Sequence, residues 1–560
     1  MTSPASGSGA PVPDLKSKQI SNPKPGANPP SHARRLLILS LRYAISPKEY
    51  AIIRRRILIK GPSSIAIRTP PKSQFDTVCN QAEDFIPAST RAGLRVFLAS
   101  SLVLKLWDVL SEKLSKRKGG KELTTVIHTT FFKNPNFLLS LSLSTLVIFH
   151  RLLYRFLYQL RSNLLLPNAQ ARRFRQRHPK VSGVFTSPLS PSIGSSLAGL
   201  ALLLNPASDR RVTIAVYAFV KALEYSYNKL EDDGWFPERP WWFGSWLLFP
   251  ITSGQLLYTF VFDRDCFPSE YGGFILDHSK EYIQSKPAGY SSTVKWPGAY
   301  DIIDSISKIA KLGYPPFNSP ILYPNSNVLP KTLQSISPIV DPAHPIINSL
   351  QCAVLHPHEP SCLKTYLNFW ASEFTHVAKF MSICYGVSWV PKYSLFFKDP
   401  VGALMRLTRS TLLTSTFITG AIGTSWATCC LFQKTLPRGL LPKGRFWLSG
   451  FLGGLWAFVD SRGGRGNFLY SLRLGIISAW KVLVKRGLVK GLKNGDVYLF
   501  ICSLAIINSL FDMEAHSVTG SAARRVLSSV RGLGLKDPVN EKKVVEAETP
   551  VSVKAVTKIV

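Results

Sequence analysis

The candidate for metal chemistry in this sequence is the segment HPHEPSC, residues 356–362. It offers the imidazoles of His356 and His358 and the thiol of Cys362, and Cys352 precedes it closely. Two histidines and two cysteines can form the tetrahedral ligand set that Zn²⁺ prefers. The interrupting prolines favour the other interpretation, a rigid turn that packs against a membrane face. We therefore predict no bound metal or other cofactor, and name His356, His358 and Cys362 as the residues that a metal would use.

The helix predicted at 366–390 carries three ionisable side chains, Glu373, His376 and Lys379, at intervals of three. Residues at this interval are neighbours on a helix surface, so the three form one polar stripe. A Glu-x-x-His pair is part of a di-iron carboxylate site, which also requires a second such pair and two further Glu residues. The sequence offers one pair, and this disfavours a metal on the stripe.

Lys221 and Glu224 lie three apart in the segment 212–228, so they share a helix face and can form an ion pair. Ionisable groups at membrane depth are costly and usually face a cavity or a partner. Two interpretations stay open. The pair lines a path for a substrate or a proton, or it is neutralised inside a packed bundle.

No motif for established enzyme chemistry accompanies these groups. The sequence has no phosphate-binding loop, no nucleophile elbow and no His-Glu-x-x-His motif. An acyl-processing membrane enzyme would require a paired His/Asp or His/Cys site, which only the segment 356–362 approaches. We therefore predict that the protein is not an enzyme.

The elements that position these side chains are predicted to be membrane helices. Of the 560 residues, 45% are apolar and 11% are aromatic, and the mean hydropathy is positive. The segments 241–262 and 411–432 contain no charged residue, and each is long enough to cross about 30 Å of hydrocarbon. Tryptophans at the start of the first segment suit a membrane–water interface. These windows predict an all-α, polytopic membrane protein.

The net charge of +35 is carried mostly by the tails and by the loops between apolar windows. A nucleic-acid-binding protein would gather its basic residues on one soluble domain. The distribution favours contact with lipid headgroups, so we predict membrane lipids and no nucleic acid as partners. The 8 cysteines include no Cys-x-x-Cys pair and lie in mostly apolar surroundings, as is typical of reduced thiols.

Changes in composition divide the chain into five regions. They are a disordered, basic amphipathic N-terminal region (1–90), a first membrane repeat (91–262), a Pro/Ser-rich connection with an amphipathic helix (263–350), a second membrane repeat (351–514) and a flexible basic tail (515–560). In the first region, the segment 34–60 mixes basic and apolar residues, as surface helices and organelle-targeting elements both do. The helix at 300–312 places four isoleucines on one face and is expected to pack on the membrane region. The tails and the connection are candidate surfaces for protein partners.

Two glycine-containing hairpins, at 191–217 and 446–470, suggest that the chain consists of two related halves. Each has a short apolar run, a polar turn with arginine and a second apolar run. When the hairpins are superimposed, their small residues coincide with the small-xxx-small spacing that lets membrane helices approach closely. These residues are Ser195, Gly199, Gly450 and Gly454. We expect Gly199 and Gly454 to seat the two halves against each other.

Counting apolar windows gives about ten membrane segments, five per half, or about eight if 92–110 and 366–390 lie in the interface. Five per half would make the repeats inverted, as in many transporters, and four per half would make them parallel. Basic loops follow nearly every segment, so the positive-inside rule leaves both topologies open.

Several motifs resemble a known family. HPHEPSC, MRLTRSTLLTSTF (405–417), SRGGRGNFLY (461–470) and GLKNGDVYLF (491–500) are similar to the amino-terminal half of the transmembrane protein 135 family. That half shows a Pro-Ser-Cys element, a Ser-Arg-Arg-Gly hairpin and a Leu-Arg-Asn-Gly-Glu motif. The first half, including FFKNPNFLLSLSLSTLVIFHRLLYR (131–155), resembles the other half of the family, so the order of the halves is reversed here. The hairpin also resembles, more distantly, the Tim17/Tim22/Tim23 import family.

The resemblance implies a multi-span protein of peroxisomal or mitochondrial membranes that is linked to lipid handling and organelle dynamics. It implies no catalytic residues. The second return helix departs from the first, because it has Arg473 but no glutamate that matches Glu224. We expect a protein that moves or accommodates a lipid-like molecule. The alternative is a non-transporting scaffold, adaptor or translocase-like subunit.

Overall fold

The structure is a computed structural model that describes residues 32–58, 69–80, 85–117, 134–287, 290, 295–324, 329–390 and 393–540. The described residues form helices and no strand, with one isolated antiparallel bridge between Pro316 and Ser349. The prediction of an all-α protein is confirmed. Of the region 1–90, predicted to be disordered and basic amphipathic, residues 32–58, 69–80 and 85–90 are described, and most of them are helical.

The chain divides into two compact units, the first formed by residues 1–237 and 492–560 and the second by residues 238–491. The helices of the first unit are α1 (His32–Leu41), α2 (Pro47–Ile53), α3 (Lys72–Asn80), α4 (Phe85–Arg117), α5 (Pro135–Leu165), α6 (Ala169–Arg177), α7 (Pro179–Thr186), α8 (Ser190–Ser195), α9 (Asp209–Asp232), α20 (Gly495–Met513) and α21 (Ser521–Arg531). A π-helical turn follows α2 (Arg54–Leu58), and 3₁₀ helices follow α8 (Ser196–Leu204) and α20 (Ala515–Ser517).

The second unit contains the remaining helices. They are α10 (Leu248–Phe262), α11 (Ser269–Asp277), α12 (Ala299–Lys311), α13 (Ser337–Val340), α14 (Leu350–Leu355), α15 (Cys362–Trp389), α16 (Tyr393–Lys398), α17 (Pro400–Thr435), α18 (Gly444–Gly454) and α19 (Arg465–Lys485). Its 3₁₀ helices are Ser245–Leu247, Arg264–Cys266, Lys331–Ile336 and Leu455–Asp460.

Two helices pack away from their neighbours in sequence. In the second unit, α10 packs on α18 and α19, although the sequence places it at the end of the first predicted repeat. In the first unit, α20 packs on α8 and α9, although it ends the second predicted repeat. The units therefore differ from the predicted regions 91–262 and 351–514, and neither boundary between the units falls within the connection 263–350.

Among the described residues, three helices are long and apolar enough to cross a membrane: Pro135–Leu165, Ser245–Phe262 and Gly495–Met513. The pair Pro179–Thr186 and Ser190–Leu204, bent by 84°, would make a fourth span if it is counted as one. These are fewer spans than the apolar windows predicted. Other long helices interrupt their apolar stretches, α4 with basic and acidic residues and α17 with many Ser, Thr and Gly residues.

Each of the two segments predicted to be a glycine hairpin consists of a helix, a 3₁₀ helix and a second, longer helix. A Cβ atom built at Gly454 would lie 2.4 Å from Pro250 Cα, and one built at Gly450 would lie 2.6 Å from the Ser253 oxygen. A Cβ atom at Gly199 would lie 2.9 Å from Ile501 Cγ1. Glycine at these positions allows the close approach of α18 to α10, and of the 3₁₀ turn after α8 to α20. Ser195 is fully buried, and its Oγ atom lies 3.2 Å from His150 Nε2 on α5.

The predicted N-terminal helix at 34–60 is broken into α1 and α2. Ser46 caps α2 through its hydroxyl, Glu49 returns a hydrogen bond to the Ser46 backbone, and Pro47 occupies the first turn. This combination starts a new helix, because both side chains satisfy free backbone N–H groups. The Tyr50 ring then stacks on Phe75 with centroids 4.2 Å apart.

The tail predicted to be flexible at 515–560 is helical in part, which makes that prediction wrong for its described portion. Helix α21 packs on α5, and its buried Arg531 forms an ion pair with Asp512 at the end of α20. Arg524 holds the carboxylate of Asp537 through two hydrogen bonds of 2.7 and 2.9 Å. Residues 541–560 lie outside the described residues.

The connection 263–350 forms the core of the second unit together with the long helices. The four predicted isoleucines of α12 are fully buried, in one cluster with Leu256 and Phe260 of α10 and with Phe369 and Trp426. The expectation that this helix packs on the long helices is confirmed. Because the connection buries apolar side chains, it is an integral layer of the unit and not a separate domain.

Candidate metal centre

Four potential metal ligands converge in the second unit, at the junction of the connection with the long helices. The ligand atoms of Cys352, His356, Cys362 and Cys430 all lie within 4.8 Å of one another. Cys352 lies in α14, His356 ends that helix, Cys362 is the first residue of α15, and Cys430 lies near the end of α17. Three of the four residues are buried, and Cys362 is half-buried.

The turn between α14 and α15 orients the imidazole of His356. Its Nδ1 atom lies 2.7 Å from the carbonyl oxygen of Glu359, within the same turn. With Nδ1 donating to that carbonyl, Nε2 presents its lone pair to the sulfurs, and it lies 3.6 Å from Cys430 Sγ. A backbone carbonyl on the far ring nitrogen is the usual second partner of a metal-binding histidine.

The end of α17 that carries Cys430 is held by Arg445, which is 1% exposed. The Arg445 guanidinium donates to the carbonyl oxygens of Phe432 and Leu440, each at 3.1 Å, and to that of Pro437. Phe432 lies in the last turn of α17, and Pro437 and Leu440 lie in the loop that follows, so the buried guanidinium ties the helix end near Cys430 to that loop. A positive charge at the C-terminal end of a helix also interacts favourably with the helix dipole.

The imidazole and the thiols polarise one another. Burial alone would lower the pKa of His356, but hydrogen bonds with the Cys352 and Cys362 sulfurs and with the Glu359 carbonyl raise that pKa to about 10. Hydrogen bonds with Cys352 and Cys430 lower the pKa of the Cys362 thiol well below its usual range, against the opposing effect of burial.

The sequence identified part of this group. The segment 356–362 predicted His356, His358 and Cys362 as candidate ligands, with Cys352 as a possible fourth. The structure brings together all of these except His358, which is exposed. Cys430 was missed, and it lies in a segment interpreted as a clean membrane span. The only signal for Cys430 is that Cys429 and Cys430 adjoin in that segment, and adjacency alone does not say which sulfur faces the turn.

The predicted polar stripe on α15 is split by burial. Glu373 is 4% exposed, and its Oε2 atom lies 3.2 Å from Nδ1 of His278, the residue that ends α11. His376 and Lys379 are exposed, and His376 Nδ1 lies 3.0 Å from the Ser372 carbonyl oxygen of its own helix. The stripe therefore does not act as one lining, and the partner of Glu373, His278, was missed because it comes from another helix.

In the first unit, Lys221 and Glu224 form the predicted ion pair on α9, with Lys221 Nζ 2.8 Å from Glu224 Oε2. The Glu224 side chain is 3% exposed and that of Lys221 is 29% exposed. The carboxylate thus points into the unit, and the ammonium stays partly open at its surface.

A second convergence of ligand types, Asp232, Glu514 and His516, lies at the surface of the first unit. Lys229 already donates to this group, with its Nζ atom 2.9 Å from Glu514 Oε1. A lysine at this place supplies the positive charge that a cation would bring. The geometry therefore favours the cysteine–histidine group as the metal site.

No protein-family model matches the sequence of this chain, and no curated protein and no solved structure matches it either. The function proposed below is therefore inferred from the residues of this chain.

Proposed function

We propose that this protein is an integral membrane protein of the peroxisome or mitochondrion, related to the transmembrane protein 135 family, that binds and moves a lipid-like molecule. The observation that carries the proposal is one buried, paired glutamate in each unit, Glu224 and Glu373. Both occur on long helices, Glu224 on α9 and Glu373 on α15, and three other helices among the described residues are apolar enough to cross a membrane.

Buried carboxylates of this kind are expensive in an apolar surrounding. Burying an ionised carboxylate costs several kcal/mol unless a charged or hydrogen-bonding partner compensates. Glu224 and Glu373 have such partners in Lys221 and His278, and Lys221 remains partly open. In such a pair the cation can bind a phosphate headgroup and the carboxylate can bind an amine headgroup, and ionisable residues at membrane depth often mark substrate sites.

Exposed apolar faces on α4 and α15 suit the acyl chains. Helix α4 exposes a row that includes Leu98, Leu102, Leu106 and Trp107, and α15 exposes Ile383 and Val387. Such a continuous exposed apolar surface is unfavourable in water, and in a membrane it would contact the acyl chains of lipids. The net charge of +35 adds attraction to anionic headgroups.

The proposal includes two related halves that exchange their last helices. Support comes from the matching partners within each unit. In the first unit α5 packs on α4 and on the hairpin that begins with α8, and in the second unit α17 packs on α15 and on the hairpin that begins with α18. Helix α20 then occupies, beside α9, the place that α10 occupies beside α19. Three of the hairpin glycines contact a helix from the other half of the sequence: Gly199 contacts α20, and Gly450 and Gly454 contact α10.

A reconstitution assay tests lipid movement directly. The full chain, purified in detergent, is placed in phosphatidylcholine vesicles that contain a fluorescent phospholipid, and loss of fluorescence to an external reductant measures transfer between leaflets. Wild-type protein should speed transfer over empty vesicles, and Glu224→Gln and Glu373→Gln should slow it. Glu231→Gln, an exposed change on the same helix as Glu224, is the matched control and should transfer normally. Vesicles with wild-type protein that are no faster than empty ones would contradict the proposal.

A non-transporting scaffold or translocase-like subunit is the alternative outcome. In that case neither the wild type nor the two glutamine variants would transfer lipid. Deletion of residues 1–85 would nevertheless abolish the function of the protein in cells. Co-localisation with peroxisomal and mitochondrial markers decides the organelle. Epitope tags in each loop, read after selective permeabilisation, decide the topology of the halves.

A further inference from the structure

We propose that Cys352, His356, Cys362 and Cys430 bind one Zn²⁺ ion as a closed, structural site in the second unit. This inference is independent of the proposed lipid function, because it rests on a different group of side chains. It replaces the expectation from sequence that the chain carries no metal.

The distances fit a tetrahedral zinc ion. Zn–S bonds of about 2.3 Å and Zn–N bonds of about 2.0–2.1 Å at tetrahedral angles separate the ligand atoms by about 3.5–3.8 Å. The observed distance from Cys430 Sγ to His356 Nε2 is 3.6 Å, and all four ligand atoms lie within 4.8 Å of one another. Small side-chain rotations suffice to complete the site.

The donor types select the metal. Three thiolates and one imidazole are soft to borderline ligands, which suit Zn²⁺ and disfavour Mg²⁺ and Ca²⁺. An iron–sulfur cluster with several irons would spread its ligands over separate metal atoms, whereas these four converge on a single point. Four protein ligands leave no open coordination position, and a closed site is structural and not catalytic.

The surroundings also suit a bound ion. His356 directs Nε2 toward the sulfurs because its Nδ1 atom meets the Glu359 carbonyl. Cys362 is half-buried at the start of α15, so an ion can reach the group from the surface, whereas the other three ligands are buried.

The ion would join three parts of the second unit. Cys352 and His356 belong to the end of the connection, Cys362 to α15 and Cys430 to α17. These segments already meet in the apolar core, and a zinc ion fixes their register. The expected role is to lock the folded connection onto the long helices.

Metal analysis of the purified full chain tests the inference. Wild-type protein, prepared in detergent without chelator and with its thiols kept reduced, should hold about one zinc ion per chain, measured by mass spectrometry of the elements. Cys362→Ser and Cys430→Ser should hold less than about a tenth of that amount, because a thiolate ligand is lost. His358→Ala and Cys384→Ser, which change an exposed histidine of the same turn and an exposed cysteine far along α15, should keep full zinc.

A second variant separates metal loss from misfolding. Cys362→His replaces one zinc ligand by another at a half-buried position, so it should retain zinc where Cys362→Ser does not. Three results would each overturn the inference. One is a stoichiometric amount of iron in the protein, and another is a disulfide among these cysteines. The third is reduced wild-type protein that still holds no metal after incubation with zinc. Full zinc in Cys362→Ser and Cys430→Ser would also overturn it.

Discussion

The Sγ atom of Cys430 lies 3.6 Å from Nε2 of His356, although 74 residues separate them in the chain. One belongs to a long helix and the other to a proline-flanked turn at the end of the connection. Their proximity means that a single ion can cross-link two segments that are far apart in the chain. Closing so long a loop through a metal stabilises the fold in the way that a distant cross-link does.

Removal of the metal should therefore destabilise the second unit. Treatment with a strong zinc chelator is expected to lower the free energy of unfolding by about 3 kcal/mol or more. At about 2–4 °C per kcal/mol, the midpoint of thermal unfolding in detergent should fall by at least about 6 °C. Added zinc should restore it.

Cys430→Ser should unfold at the temperature of the chelated wild type and should not respond to the chelator. Cys384→Ser should behave like the untreated wild type, because Cys384 is exposed and outside the group. A chelator that leaves the wild-type midpoint unchanged would count against a structural role for the ion.

Acid should release the ion. Zinc binds thiolates and neutral imidazole, so protons compete with it for all four ligand atoms, and zinc content must fall as the pH falls. Protein dialysed at about pH 7 should retain its zinc, and protein dialysed at about pH 4.5 should lose most of it. The measurement is zinc per chain after dialysis and return to neutral pH. Full retention at the acidic pH would contradict ligation by Cys and His.

The sequence predicts the ligands in the turn at 356–362 but not the complete group of four ligands. Local spacing reveals His356 and Cys362, since both lie in one short segment. Cys430 comes from a distant helix, and which face of that helix meets the turn depends on tertiary packing that spacing does not encode. The same limit explains why Glu373 was assigned to a stripe with His376, whereas its partner is His278 of another helix.

The apolar window at 241–262 located α10, because such a window depends on local composition, but the grouping of the helices was not predictable. Order along the chain then suggested that α10 stays with the half that precedes it, and the structure packs it on α18 instead. The contact depends on glycines that admit close approach, at Gly450 and Gly454, and a sequence shows such glycines without showing their partners.

The buried pair of Glu373 and His278 gives a test within α15 and α11. His278→Ala removes the imidazole that lies 3.2 Å from the carboxylate, and an unsatisfied buried polar group costs about 1–3 kcal/mol. The free energy of unfolding should fall by that amount. His376→Ala is the matched control on the helix of Glu373, and it should change stability by less than about 0.5 kcal/mol because His376 is exposed. Equal effects of the two changes would show that the pair does not stabilise the unit.

Alanine at the hairpin glycines should rank them by what they contact. Gly454→Ala drives a methyl group to 2.4 Å from Pro250 Cα, a backbone atom that cannot yield, and overpacking of this kind costs about 1–3 kcal/mol or more. Gly199→Ala meets the side chain of Ile501 at 2.9 Å, which can rotate, so its cost should be smaller. Gly386→Ala in α15 meets no atom within 4 Å and should stabilise its helix by about 0.5–1 kcal/mol. Thermal unfolding in detergent measures all three, and a Gly454→Ala protein as stable as Gly386→Ala would mean that α18 does not pack closely on α10.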